Sequence, residues 1–291
     1  MATDKKSKDL QFYYYRYQIV PTSNSIQTTI DDYEIKDYED LVSKKNKIFR
    51  DVVNSKSILM QGRSADYIYK VLSVEHNYFL LRIARKKDIN IDKEDFSEET
   101  IVSYPNVLIL IDNRPSVQQL IIQMNYRAFE STEVVANILE KNFNRYLHQY
   151  QLSFYLRPIT EKQEFWELTK KYEDRITQVA FEIIKPNMAN ISKNLSEDLK
   201  SLQKDTNSHK TKIELNSTED SRLENLNEKN GELAGLVHYA NEGGGEISVK
   251  VKGIRKKIHT NKQVITESID EITIKGVDPK KMLDILKAAL V

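Results

Sequence analysis

A dense run of aromatic and β-branched residues, FYYYRYQIV at positions 12–20, opens the chain and stops at Pro21. Such side chains fit a pleated, half-buried surface, and proline cannot continue a hydrogen-bonded ladder. The run therefore predicts a β-strand. Comparable patterns predict further strands at Tyr67–Ser73, Tyr78–Ile83, Asn106–Asp112, Val117–Met124, Leu152–Leu156 and Ile176–Ile184.

Helical periodicity appears at three places before residue 187. Apolar residues recur among Lys and Arg over Leu41–Val53, and a second apolar stripe follows Ser131, whose hydroxyl can cap a helix. Thr160–Gln163 has the pattern of a capping box, which predicts the start of a third helix. Residues 86–100 carry basic and then acidic side chains, which predicts a surface loop.

The order of these elements predicts an α+β fold. We expect an antiparallel or mixed sheet with helices on one face, followed by a smaller helical and β C-terminal part. The composition becomes polar after Asn187, so we expect a main domain over 1–187 and a C-terminal region over 188–291, with a candidate linker at 204–212. In that region the patterns predict a helix near Glu232–Tyr239, strands near Glu246–Lys252 and Glu271–Lys275, and a last helix capped by Asp278.

The amino-acid composition excludes several classes of catalytic and metal-binding site. The 291 residues include no cysteine, which excludes thiolate metal sites, iron–sulfur clusters, disulfides and thiol nucleophiles. The five histidines stand too far apart for the i, i+4 ligand spacing of helical metal sites. Gly62 alone among the eight glycines precedes residue 231, so most of the chain cannot contain a phosphate-binding glycine loop. We expect no cofactor and no metal.

The hydropathy pattern also argues against membrane insertion. Residues 1–9 are rich in Lys and Asp rather than apolar side chains, so they do not form a signal peptide. The longest apolar stretches, such as Val107–Ile111, are far shorter than the ~20 residues that cross a bilayer. These features predict a cytoplasmic protein.

Asp112 is the one carboxylate that suggests metal chemistry. It ends the apolar run Val107–Ile111, where an acidic side chain could hold Mg²⁺. A restriction-type nuclease would pair it with a later Glu-x-Lys, but Glu34–Lys36 precedes it. Asp112 also stands directly before Asn-Arg-Pro, which is typical of a turn. The sequence therefore favours the turn and assigns no catalytic residue, with a divalent-metal nuclease as an alternative.

Three consecutive glycines, Gly243–Gly245, stand before the strand-like run Glu246–Lys252. Anion-binding glycine loops generally lead into a helix N-terminus instead. We therefore interpret the glycines as a flexible hairpin or loop connection.

The charge pattern singles out one segment. Lys+Arg and Asp+Glu nearly balance, with a net charge of +1, yet residues 249–262 contain cations and no acid. A solvated, lysine-guarded strand edge would explain this concentration, and so would a phosphate-binding patch. The candidate nucleic-acid-binding residues are Lys250, Lys252, Arg255, Lys256, Lys257 and Lys262.

Three short segments carry a family resemblance: FYYYRYQIVP at 12–21, FEIIKPN at 181–187 and YANEGGGEISVKVKG at 239–253. Together they resemble uncharacterised bacterial proteins encoded beside antiviral defence genes. The resemblance covers short pieces and implies no catalytic residues. It implies a role in defence against phage.

These observations favour a non-catalytic protein that binds nucleic acid, with DNA the favoured form, as a component of a bacterial antiviral defence system. The alternatives are a protein-binding regulatory or sensor subunit of a defence complex and the divalent-metal nuclease. The expected partners are nucleic acid, a partner protein, or both, and the chain is a candidate homo-oligomer.

Overall fold

The computed structural model describes residues 9–26, 31–56, 58–62, 66–218 and 220–288. Within these ranges the chain forms antiparallel sheets and eight α-helices, which confirms the α+β class. The strands are β1 (Asp9–Pro21), β2 (Met60–Gln61), β3 (Asp66–Glu75), β4 (Tyr78–Arg85), β5 (Lys87–Asp92), β6 (Glu98–Ser103), β7 (Asn106–Asp112), β8 (Gln119–Gln123), β9 (Leu152–Pro158), β10 (Ile176–Ile184), β11 (Lys210–Asn216), β12 (Gly245–Val251), β13 (Ile258–His259) and β14 (Thr266–Asp270). The helices are α1 (Tyr38–Asn54), α2 (Thr132–Leu147), α3 (Gln163–Lys171), α4 (Ala189–Ser192), α5 (Glu197–Asp205), α6 (Gly231–Tyr239), α7 (Glu271–Ile274) and α8 (Pro279–Ala288).

The aromatic run forms β1, which organises the larger sheet by pairing along both of its edges. Its first half pairs with β14 and β8, and its second half pairs with β9. From β8 the sheet continues through β7, β4 and β3 to β2. β1 therefore holds together segments from the beginning, the middle and the end of the chain.

Helices cover both faces of this sheet. On one face α1 and α2 enclose an aromatic cluster, in which the ring of Phe49 lies 5.0 Å from that of Tyr17 and 5.2 Å from that of Phe154. On the other face α8 packs Leu283 and Leu286 against the sheet. The two long N-terminal helices share one face, as expected, and the C-terminal helix takes the opposite one.

A smaller sheet, in the order β11–β10–β12–β13, is built across residue 187. β10 precedes that residue and pairs with β11 on one edge and with β12 on the other. Residues 204–212, the candidate linker, form the end of α5, a turn and the start of β11. Backbone hydrogen bonds therefore join the segments before and after residue 187. The division of the chain into two domains at this residue stays a prediction.

The two sheets meet at the glycine run 243–245. An ideal Cβ on Gly243 would lie 2.6 Å from the Cβ of Arg16 on β1. One on Gly245 would lie 2.0 Å from the carbonyl oxygen of Glu182 on β10. Gly243 also has a φ of +82°, a conformation that side chains disfavour. The run is therefore a tightly packed turn and not the flexible connection that the sequence suggested.

Polar side chains fix the same junction. The buried Arg16 guanidinium donates to Glu242 Oε2 at 3.1 Å and to the carbonyl oxygen of Val117 at 3.1 Å. The Tyr239 hydroxyl donates to the carbonyl oxygen of Ile184 at 2.9 Å. Burial raises the pKa of Tyr239 well above its usual value, so the hydroxyl stays protonated and remains a donor.

Most predicted strands and caps are confirmed. The Ser131 hydroxyl accepts from Val134 N at the start of α2, and Asp278 Oδ1 accepts from Lys280 N at the start of α8. The strand predicted at Glu271–Lys275 is wrong, because Asp270 caps the short helix α7 there.

Two other predictions are wrong. Residues 86–100 contribute to a hairpin, β5–β6, instead of a loop, because apolar and polar residues alternate there and Ile89 pairs with Ile101 across the two strands. The capping box does not form: α3 begins at Gln163 without a side-chain cap, and the Thr160 hydroxyl donates to Asn241 Oδ1 at 3.1 Å. That bond ties Thr160 to the glycine turn.

Alanine at Gly245 tests the packed junction. The added methyl group would meet backbone, and overpacking costs ~1–3 kcal/mol even against movable side chains. We expect Gly245→Ala to lower the free energy of unfolding, measured by urea denaturation, by ~2 kcal/mol or more. Gly231→Ala is the matched control, because nothing lies within 4 Å of a Cβ there. Equal losses in the two variants would contradict the packing role.

Candidate nucleic-acid interface

The predicted binding residues begin on β12, which has one buried and one open face. Ile247, Val249 and Val251 are buried, as their alternation predicted. Lys250 lies between them on the other face, because successive strand side chains point to opposite sides. After β12 the chain forms a turn, residues 252–257, which we call the basic turn, and returns as β13.

Two cationic side chains brace the basic turn from either side. Arg175 donates from Nε at 3.1 Å and from Nη2 at 2.8 Å to the carbonyl oxygen of Lys252. Lys250 Nζ donates to the carbonyl oxygens of Ile254 at 2.9 Å and Arg255 at 2.7 Å. These bonds hold the backbone of the turn in place. Lys250 is thereby a positioning residue of the turn.

The tip of the turn presents free cations to solvent. Arg255, Lys256 and Lys257 are exposed, and within the described ranges their side chains form no ion pair or hydrogen bond. Long cationic side chains on a fixed backbone lose less freedom on binding than side chains on a mobile loop do. The arrangement is suited to a ligand that carries several negative charges.

One carboxylate lies within electrostatic reach of the turn. A hydrogen bond from Lys212 lowers the pKa of Glu214 on β11, with smaller effects from Asn216 and from the charge of Lys257. Glu214 thus accepts from Lys212, Asn216 and Gln178. The charge of Lys257 acts on Glu214 from a distance, without an ion pair between them.

Lys262 lies apart from the basic turn, on the connection between β13 and β14. Its neighbour Gln263 donates its backbone N–H to Glu164 Oε2 at 3.1 Å, and the Gln263 carbonyl accepts from Glu161 N at 3.0 Å. The surroundings of Lys262 thus include acidic residues. The structure brings five of the six predicted cations together and places the sixth elsewhere.

Asp112, the candidate metal ligand, is occupied by a neighbouring side chain. Arg114 donates to both of its carboxylate oxygens, at 3.0 Å and 2.6 Å, and the Arg114 backbone N–H donates to Oδ1 at 3.1 Å. This is the turn that the Asn-Arg-Pro sequence indicated. Across the described ranges, no group of three or more His, Cys, Asp or Glu side chains is placed to hold a metal ion.

Lys45 is a buried titratable group that sequence patterns did not reveal. It lies on α1, is 5% exposed, and donates to the carbonyl oxygen of Asn187 at 3.4 Å. Burial lowers its pKa from the usual 10.5 to about 8. Its ammonium group ties α1 to the segment that follows β10, far along the chain from the basic turn.

No protein-family model, no curated protein and no solved structure matches the chain. None of the helices in the described part of the chain is long and apolar enough to span a membrane.

The lowered pKa of Lys45 predicts a pH dependence of stability. Between pH ~8 and ~10.5 the folded state binds fewer protons than the unfolded state, so stability rises with pH through this window. Lys45→Met removes the buried charge and keeps the shape. We expect it to raise the free energy of unfolding at pH 7 by ~2 kcal/mol and to flatten the rise.

Denaturation with urea at about pH 7 and about pH 9.5 measures both effects. Lys141→Met, at an exposed position on α2, is the control and should leave stability and its pH dependence unchanged. If Lys45→Met were less stable than wild type and its free energy of unfolding still rose with pH as in wild type, Lys45 would not be the group responsible.

Proposed function

We propose that the protein binds nucleic acid through the basic turn and does not cleave it. The observation that supports this most is the bracing of the turn by Arg175 and Lys250 beneath three exposed cations, Arg255, Lys256 and Lys257, at its tip. A projection of this kind matches a regular row of phosphates better than a single compact anion. Lys252 and Lys250 add to its field.

Contacts of this type give affinity and little sequence specificity. Phosphate contacts set the position of a protein on duplex DNA, whereas sequence is read at base edges. The turn carries Lys and Arg at its tip and no aromatic side chain that would stack on the bases of a single strand. We propose a duplex as the ligand, with DNA the favoured form. A role within antiviral defence is proposed from the sequence resemblance alone.

Two alternatives remain distinguishable by experiment. A protein-binding regulatory subunit predicts no affinity for nucleic acid even at low salt. A divalent-metal nuclease predicts that plasmid or RNA is cut in the presence of Mg²⁺ or Mn²⁺ and that Asp112→Ala abolishes the cutting. The Arg114–Asp112 pair argues against the second alternative, because both carboxylate oxygens are already engaged.

Salt dependence is the direct test of phosphate contacts. If about four cations of the turn neutralise phosphates, log K against log salt falls with a slope near −3 to −4, from ~0.9 per contact. Fluorescence anisotropy with a labelled duplex at several salt concentrations measures this slope. Binding that is absent at low salt would contradict the proposal.

The variant Arg255→Glu, Lys256→Glu, Lys257→Glu should abolish this binding while circular dichroism shows an unchanged fold. The matched control reverses three other exposed lysines, Lys56, Lys141 and Lys229, with the same change in net charge. It should bind within about threefold of wild type, because its charges lie away from the turn. Equal losses of affinity in both variants would show that the net charge of the protein, and not the basic turn, determines binding.

A further inference from the structure

A groove crosses one face of the larger sheet, beside the area that α8 covers. α8 packs with Leu80 and Leu110 in one apolar cluster, and these two residues face each other on β4 and β7. The next pair on the same face is Arg82 and Leu108, because successive strand side chains alternate between faces. Arg82 is exposed. The groove has a volume of about 560 Å³, and this part of the sheet forms its floor.

Three segments form the walls of the groove. The connection between β6 and β7 contributes Tyr104, the segment after β8 contributes Arg127, and the residue that follows α7 is Lys275. Small-molecule sites are clefts of ~300–1,000 Å³ in which apolar walls surround a few convergent polar groups. The groove therefore has the size of a site for one small molecule.

Positive charge dominates the lining of the groove. Among the described residues that line it, Arg82, Arg127 and Lys275 are cationic, and Glu271 is the one carboxylate. Glu271 lies 3.8 Å from Lys275, which leaves the two arginines. Within the described ranges neither guanidinium group forms a hydrogen bond or an ion pair. Both arginines are therefore available to an anion.

Two asparagines fix the backbone around two of the lining side chains. Asn125 Nδ2 donates to the carbonyl oxygen of Asn106 at 2.7 Å, and Asn125 Oδ1 accepts from Arg127 N at 3.1 Å. Asn106 Nδ2 donates to the carbonyl oxygen of Tyr104 at 3.3 Å. Lys87 Nζ holds the carbonyl oxygen of Arg127 at 2.6 Å. Because these bonds order the backbone in advance, less freedom is lost when a ligand binds.

Tyr104 adds an aromatic surface to this charged groove. Its side chain is 48% exposed. An exposed aromatic ring can stack on the face of a planar base. The planar fork of an arginine matches the oxygens of a phosphate group. A nucleotide carries a phosphate group and a base on one small molecule.

We propose that the groove binds a nucleotide, with its phosphate group held by Arg82 and Arg127 and its base against Tyr104. A free nucleotide and the phosphorylated end of a single strand share this chemistry. Binding here is independent of the proposed binding of a duplex, because the groove belongs to the larger sheet and the basic turn to the smaller one.

Isothermal titration calorimetry of the full chain with adenosine monophosphate, at about 0.1 M salt, tests the site. The nucleotide should bind. Adenosine and inorganic phosphate should each bind about tenfold more weakly or less, because the first lacks the charged hydrogen bonds and the second lacks the stacked ring. Inorganic phosphate that bound as tightly as the nucleotide would contradict the role of the ring.

Two single strands distinguish the sources of the nucleotide. An oligothymidylate with a terminal phosphate and the same strand without it are titrated into Arg255→Glu, Lys256→Glu, Lys257→Glu, which lacks the cations at the tip of the basic turn. A site for strand ends predicts that the phosphorylated strand binds more tightly than both the other strand and the free nucleotide. A site for free nucleotides predicts that adenosine monophosphate binds most tightly. Binding of neither the nucleotide nor the phosphorylated strand would overturn the proposal.

Substitutions in the groove identify the contacts. Arg82→Gln with Arg127→Gln should weaken binding of adenosine monophosphate by about tenfold or more, because charged hydrogen bonds are lost. Tyr104→Ala should weaken it by about tenfold, and Tyr104→Phe should stay within about twofold of wild type, because the ring remains. The matched control, Lys141→Gln with Lys229→Gln, removes the same charge at exposed positions and should bind like wild type.

Equal losses in the arginine variant and its control, or a Tyr104→Phe variant as weak as Tyr104→Ala, would contradict the proposal. Circular dichroism checks that each variant keeps the fold. The arginine variant should also bind duplex DNA within about threefold of wild type, because its charges lie away from the basic turn. Failure of the nucleotide site and failure of the basic turn are thus observed in separate measurements.

Discussion

The close approach of the glycine run 243–245 to both sheets is the constraint on which the rest of the structure depends. One side of this run lies against Arg16 on β1 and the other against the backbone of Glu182 on β10. A Cβ at Gly245 would lie 2.0 Å from the carbonyl oxygen of Glu182, so β12 and β10 would have to move apart. Because β12 leads directly into the basic turn, the position of the proposed interface depends on this packing.

The fold also separates two groups of charges. The smaller sheet holds the basic turn, and the larger sheet extends at another place into the acidic hairpin β5–β6. Among the described residues, no hydrogen bond or ion pair joins the two. The almost neutral net charge of the chain therefore conceals two oppositely charged surfaces that remain available to other molecules.

Elements with clear periodicity could be predicted from the sequence, and those that depend on distant partners could not. β1, β7 and β10 have long apolar or aromatic runs, so local pattern was sufficient. The alternation of Ile247, Val249 and Val251 likewise placed Lys250 on the open face. The bracing by Arg175 could not be seen, because it requires β10 and β12 to be neighbours. The role of the glycine run could not be predicted for the same reason, because it lets segments that are distant in sequence approach each other.

The close packing of the glycine turn on both sheets predicts that the two sheets unfold together. Trp166 is the only tryptophan and packs, half-buried, against the core of the smaller sheet, with its ring 4.8 Å from that of Phe165. Far-ultraviolet circular dichroism reports on helices beside both sheets, including the two longest, α1 and α2 beside the larger sheet, so a two-step unfolding would appear in it as a second transition. Urea denaturation followed by both signals should give coincident transitions with the same midpoint. Two separate transitions, with tryptophan fluorescence changing first or last, would contradict the account.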